Sequence, residues 1–327
     1  MFLSVLKISI SVILIMVVIN ELNFDLLVST IKVVDLYTTV TACIVFSAIP
    51  VIQAYRWKYV LEVFHKFIGI KLAFQNTMIG IFFSNFLPSI GGDLIKASLT
   101  ALKVERSWTI CMISIVLEKV LGLLGLLILL VPSYFLWDQN SHWSSQSLKN
   151  SLPYFDNILI FFTFLTLMLI ATFYYVNLKT KFLKRAFKSS NFQVISKANF
   201  CSKPFFYVVL AAILTQVFQT GTYFFVALSL GMNIDVYALI FFSQLVSLTI
   251  YLPVSFGGWG VREYLLISSA SALNASPEDL FLLGVISGGI PFLVSAPGLY
   301  LWQAIKIEVP SDWRDRYQTF GKKKRLK

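Results

Sequence analysis

The chain has 327 residues, with 27 Lys and Arg against 16 Asp and Glu, a formal net charge of +11. Hydrophobic residues make up 57% and charged residues only 13%, about half the roughly 25% of a soluble domain, so lipid is the expected solvent for most of the surface. This excludes a disordered chain; three scattered cysteines (Cys43, Cys111, Cys201) exclude a disulfide framework, and two histidines (His65, His142) exclude His-rich metal sites.

A bilayer core of about 30 Å takes roughly 20 apolar residues as helix. Residues 2–19 form the first such run. Lys7 precedes its longest apolar stretch, as in a signal peptide, but no small-x-small cleavage site follows, so an uncleaved helix is expected. Residues 36–54 form the second span. Residues 73–87 are apolar but stop at Pro88 and Gly91-Gly92. Residues 108–137 and 157–176 hold one span each. Residues 205–230 and 236–252 follow, separated by Gly231-Met232-Asn233. The last span, 280–305, is interrupted by Pro291 and Pro297.

The basic residues set the orientation. Stretches 55–71, 103–107 and 177–203 and the tail from Lys306 are rich in Lys and Arg and are placed in the cytoplasm. Stretches 21–35 and 138–156 are poor in them and are placed outside. Arg56, Lys58, Glu62 and Lys66, with Trp57 and Tyr59, read as an interfacial belt, with a contact to a lipid headgroup as the alternative. The basic excess is expected to meet anionic lipid, not nucleic acid.

The most informative feature is a repeated motif. Asn85-Phe-Leu-Pro-Ser-Ile-Gly-Gly-Asp-Leu-Ile-Lys96 is echoed by Tyr251-Leu-Pro-Val-Ser-Phe-Gly-Gly-Trp-Gly-Val-Arg262-Glu263. Residues 72–103 begin and end in cytoplasmic stretches and are too short for two spans, so a broken re-entrant hairpin is expected. Counting spans places the second motif on a hairpin entered from outside. Two inverted halves result, about 1–137 and 157–305, in a single membrane domain of residues 1–305 with a basic cytoplasmic tail, 306–327. The expected fold is an all-α polytopic membrane protein with about six full spans and two broken hairpins. Inverted repeats with discontinuous helices mark transporters, although a helix bundle with two kinks fits the same pattern.

The chemistry is expected at those breaks. Gly91, Gly92, Gly257 and Gly258 permit unusual dihedrals and close backbone approach. Half-helices beginning after them would aim N–H groups at an anion. Lys96 and Arg262 stand near their first turns, Asp93 fits a capping position, and Asn85, Gln216, Gln219 and Gln244 are buried polar candidates. Glu118 lies within a membrane segment, where charge is costly and points to function. It is expected to meet Arg262 or Lys96; Glu263 follows Arg262 and pairs with it or with an amino headgroup.

These residues resemble the lysylphosphatidylglycerol synthase transmembrane-region family of flippase-like membrane proteins. The resemblance covers nearly the whole chain and rests on Tyr55-Arg56-Trp57, the Gly91-Gly92-Asp93 block, Glu118-Lys119 and the Gly-x-Gly-x-Arg-Glu block ending at Glu263. Many members carry Arg where this chain has Lys96, which keeps the charge but not the bidentate fork. The resemblance implies a lipid-handling protein of the cytoplasmic (inner) membrane, with both termini cytoplasmic. It also implies that aminoacyl transfer belongs to a soluble domain not expected in residues 306–327.

The expected function is translocation of an anionic phospholipid or a polyprenyl-linked lipid. Its headgroup would be held by Asn85, Gly91, Gly92, Asp93, Lys96, Glu118, Gly257, Gly258, Arg262 and Glu263. No cofactor, metal or catalytic residue is expected. Two alternatives remain. One is a polyprenyl-phosphate-dependent glycosyltransferase using Glu21, Asp25 or Asp35. The other is a non-catalytic partner of envelope-synthesis enzymes.

Overall fold

The computed structural model describes residues 9, 13–20, 22–64, 67–87, 91–103, 108–140, 203–251 and 258–305. The expected span 157–176, the basic stretch 177–202 and the tail 306–327 lie outside them. All regular structure among the described residues is helical.

Helix α1 (Ile13–Asn20) meets α2 (Phe24–Val33) at a 91° bend. The outer connection expected at 21–35 is thus itself largely a helix. Asn23 caps it by accepting from the Asp25 and Leu26 amides, and it buries none of its residues. Asp35 then caps α3 (Leu36–Val63), accepting from the Tyr37 and Thr38 amides. Such caps satisfy N–H groups that have no partner in the helix. Helix α3 continues nine residues beyond Ala54, carrying Arg56 and Trp57 into the interior.

Helices α4 (Ile70–Ser84) and α5 (Gly91–Lys103) form the first broken hairpin, and α6 (Trp108–Asn140) follows. Next come α7 (Lys203–Ser229), α8 (Val236–Tyr251), α9 (Val261–Ser268), α10 (Ala270–Leu273), α11 (Pro277–Ser295) and α12 (Pro297–Ala304). Helices α3, α6, α7 and the α11–α12 pair are long and apolar enough to cross a membrane. The α4 helix has 15 residues, α5 has 13 and α8 has 16. At about 1.5 Å per residue, none reaches across a hydrocarbon core of about 30 Å. The chain is therefore an all-α multi-pass membrane protein in which short helices accompany the long ones.

Contacts between helix ends order the layers. The Asp35 amide donates to the Ser229 carbonyl at 2.8 Å. The Asn23 amide donates to Glu278 Oε1 at 2.9 Å. Tyr59 and Tyr207 bring their rings within 5.0 Å. The start of α3 thus lies beside the end of α7, and the end of α3 beside the start of α7. These two helices run antiparallel and make the most extensive helix pair. The main core gathers Phe46, Leu127, Tyr223, Phe241 and Leu283 from α3, α6, α7, α8 and α11, and Trp137 stacks on Phe241 at 5.8 Å.

Candidate functional site at the two broken hairpins

The first hairpin is held closed by glycine. Gly80 of α4 faces Gly92 of α5 so closely that a Cβ on Gly92 would collide with the Gly80 carbonyl and the Ser84 side chain. A Cβ on Gly80 would lie 3.1 Å from the Gly92 oxygen and 3.2 Å from the Lys96 Cβ. Gly91 and Gly92 are helical and take no left-handed dihedral. Close approach is what they supply.

That approach presses Lys96 into a buried charge cluster. Lys96 Nζ donates to Glu118 Oε2 at 2.5 Å. Arg56 donates to the other oxygen, Oε1, through Nε at 3.2 Å and Nη2 at 3.1 Å. Asp93 pairs with Lys119 at 2.8 Å and lies 3.9 Å from Lys96. The Trp57 ring lies 4.5 Å from Lys96 Nζ, a cation–π distance. Trp57 Nε1 and Asn76 Nδ2 both donate to the Thr100 hydroxyl, which donates to the Lys96 carbonyl. A buried charge is tolerable only when paired and hydrogen-bonded, and this network pairs each one.

Glu118 meets Lys96, one of its two expected partners, and its other partner is Arg56, which was not expected. One expectation is corrected here. Arg56 is not part of an interfacial belt: it is 7% exposed. A signal for this existed in the sequence. Arg56, Val60 and Val63 stand at helical spacing on a stripe that α3 buries.

The second hairpin is built differently. Gly258 and Gly260 take φ of 83° and 84°, where a side chain would be strained. Gly257 lies outside the described residues. These turns set Glu263 at the start of α9, where its Oε2 accepts from the Gly260 amide at 2.7 Å. The expected half-helix N-terminus is therefore already met by a carboxylate of the chain itself. Arg262 donates to Glu263 Oε1 through Nε at 2.9 Å and Nη2 at 2.7 Å. Its guanidinium lies 4.5 Å from the Trp259 ring and against Gly288, where a Cβ would overlap it. Buried Tyr223 and Ser287, which the sequence did not single out, stand on α7 and α11, and the Ser287 hydroxyl donates to the Gly284 carbonyl at 3.1 Å.

The two breaks approach each other along α11. Phe292 lies 5.5 Å from Phe86 of the first break and 6.3 Å from Trp259 of the second. Asn85 Nδ2 donates to the Ser295 hydroxyl at 3.0 Å. Gln244 donates to the Thr220 hydroxyl at 2.8 Å, which pairs with Ser243 at 2.9 Å. Gln216 is buried on α7.

A family model described as the lysylphosphatidylglycerol synthase TM region matches residues 4–298. The chain belongs to that family. No curated protein and no solved structure matches it.

Proposed function

We propose that this family member binds and translocates a lipid with an anionic headgroup, an anionic phospholipid or a polyprenyl-linked lipid. The observation that carries the proposal is the buried charge cluster at the first hairpin, where Arg56, Lys96 and Lys119 meet Asp93 and Glu118. It lies at the break of a helix pair too short to span. Intramembrane charge at a discontinuous helix is the arrangement transporters use to hold polar cargo.

The reading includes an inverted repeat, and the helix pairings favour it. Exchange α3 with α7, α4 with α8, α5 with α9, and α6 with the α11–α12 pair. The contacts of α3 with α4, α4 with α5, α5 with α6 and α6 with α8 then map onto α7 with α8, α8 with α9, α9 with α11 and α12 with α4. Lys96 follows Gly92 at the same interval as Arg262 follows Gly258. Each cation lies 4.5 Å from a tryptophan ring. Arg56 and Tyr223 stand equally far into α3 and α7, as do Glu118 and Ser287 into α6 and α11. On this reading the first cluster opens toward the cytoplasm and the second toward the outer face of the inner membrane, with both termini cytoplasmic. Movement of lipid, not bond chemistry, is the activity. Asp35, a carboxylate on which a glycosyltransferase reading would draw, is engaged as the cap of α3.

A headgroup-accessibility assay in proteoliposomes tests the proposal. Labelled anionic phospholipids and polyprenyl-phosphate lipids are compared for wild type and a Lys96→Ala, Arg262→Ala double variant. Faster equilibration of one lipid class by wild type alone supports translocation and names the class. No movement of any lipid by folded wild type overturns it and favours a non-catalytic partner of envelope-synthesis enzymes.

A further inference from the structure

Arg56 has more donors than the protein uses. Nε and Nη2 both point at Glu118 Oε1. Nη1 is buried and meets no acceptor among the described residues. A guanidinium carries five N–H donors in a rigid fork, and leaving two of them buried and unmet costs free energy. Arg262, the motif cation of the second hairpin, is held differently: Glu263 takes its fork, Trp259 covers one side and Gly288 the other. The spare donor therefore belongs to the first cluster. The cluster reaches the protein surface through Lys119, whose side chain is 45% exposed, beside Asp93 at 15%.

We infer that Arg56 is the ligand of a phosphate group, which enters past Lys119, takes the Nη1 and Nη2 edge of the guanidinium and displaces Glu118 from it. Glu118 keeps Lys96, its closer partner, so the carboxylate is not stranded when the phosphate arrives. A phosphate offers the planar fork two oxygens, whereas Glu118 offers it one. Glu118 is thus a competitor for Arg56, and the exchange makes phosphate binding reversible. The inference rests on the anionic-headgroup reading above and names the residue that takes the phosphate. The same chemistry is offered by a lipid phosphate and by free inorganic phosphate.

The test uses the full chain in phosphatidylcholine nanodiscs. One arm raises the mole fraction of phosphatidate; the other adds inorganic phosphate to discs without it. Binding is read as the concentration giving half of the maximal rise in Tm. Wild type is compared with Arg56→Lys, which keeps a cation beside Glu118 but loses the fork, and with Glu118→Gln, which removes the competing charge. The inference expects opposite shifts. Arg56→Lys weakens binding about tenfold, the loss of one charge-assisted hydrogen bond, and Glu118→Gln tightens it. A purely structural ion pair would lower Tm in both variants without moving their half-points apart. Response in the phosphatidate arm alone assigns the site to a lipid headgroup, and response in both arms assigns it to phosphate from either source. No response in either arm, or an unchanged half-point in Arg56→Lys, overturns the inference. Arg56→Lys decides alone if Glu118→Gln does not fold. Binding without lipid movement would sink translocation and leave this inference standing. Movement that continues in an Arg56→Lys chain of unchanged phosphate affinity would do the reverse.

Discussion

Arg56 and Lys96 share one carboxylate. Arg56 holds Glu118 Oε1 at 3.1 Å from Nη2, and Lys96 holds Oε2 at 2.5 Å from Nζ. The three residues come from α3, α5 and α6, so this one contact ties the α4–α5 hairpin to two long helices. Both cations rely on this side chain for their closest ion pair, and both are buried.

Removing that carboxylate is therefore expected to be worse than removing either cation. Glu118→Met leaves Arg56 buried without its counter-ion and Lys96 with only Asp93 at 3.9 Å, and breaking a buried pair in this way costs about 3–5 kcal/mol. Lys96→Met leaves Glu118 still paired with Arg56 and should cost less. The double variant Lys96→Met, Glu118→Met should be less destabilised than the two singles summed. Thermal unfolding of purified protein in one detergent gives all four corners of the cycle. Additive single effects would mean that the two residues do not interact.

Gly92 and Gly289 make a matched pair of glycine tests. A Cβ on Gly92 meets the Gly80 carbonyl and the Ser84 side chain, while one on Gly289 meets nothing within 4 Å. Gly92→Ala must push α5 off α4 and is expected to cost about 1–3 kcal/mol, as overpacking generally does. Gly289→Ala should be neutral or slightly stabilising, because alanine is the better helix former by up to about 1 kcal/mol. Thermal unfolding of both variants separates close approach from backbone flexibility. An equal loss in both would remove the close-packing explanation.

What the sequence made legible follows from what repeats and what is rare. Leu-Pro, Gly-Gly and a following cation recur in order, so both breaks, Lys96 and Arg262 could be found without coordinates. Glu118 stood out because a carboxylate inside an apolar run is expensive. Arg56 did not, because a cluster of Arg, Lys, Trp and Tyr at a helix end has the composition of a lipid interface. Only the helical stripe of Arg56, Val60 and Val63 hinted at its burial, which Glu118 of α6 completes. Of the two partners expected for Glu118, Lys96 meets it and Arg262 does not. Arg262 has its own acid one residue away, and adjacent residues pair when the longer side chain folds back. Tyr223 and Ser287 were invisible because neither residue type is unusual within an apolar helix.

Asp35 provides a pH-dependent end to α3. The Thr38 hydroxyl and then the Tyr37 and Thr38 amides hold its carboxyl below the usual value of 3.8. A depressed folded value stabilises the cap above that pH, and the contribution is lost as pH falls through the lower folded value. Amide exchange in the first turn of α3 should therefore quicken, relative to mid-helix amides, as pH drops below about 4. Asp35→Asn should keep a capping oxygen while abolishing the dependence. A first turn that stays equally protected at low pH would mean that the charged form of Asp35 does not support the cap.

Phe292 is where the two halves of the candidate site meet. It touches Phe86 on one side and Trp259 on the other, with ring separations of 5.5 and 6.3 Å. Its neighbours along α11 include Gly288 beneath Arg262 and Ser295 bonded to Asn85. On the translocation reading, a headgroup passing from one charge cluster to the other must move these rings. Phe292→Ala should then raise the rate of headgroup equilibration while broadening it to zwitterionic lipids, because an apolar barrier between two polar sites is lost. Phe292→Trp should slow it. The stability cost of the alanine change should be at the low end of the roughly 3–5 kcal/mol for a fully buried Phe, since Phe292 is only partly buried. The measurement is the headgroup-accessibility assay with phosphatidylcholine beside the anionic lipid, at matched protein density and with Tm recorded for each variant. Unchanged rate and selectivity in both variants would place the lipid path elsewhere on the protein and leave Phe292 as packing between the hairpins.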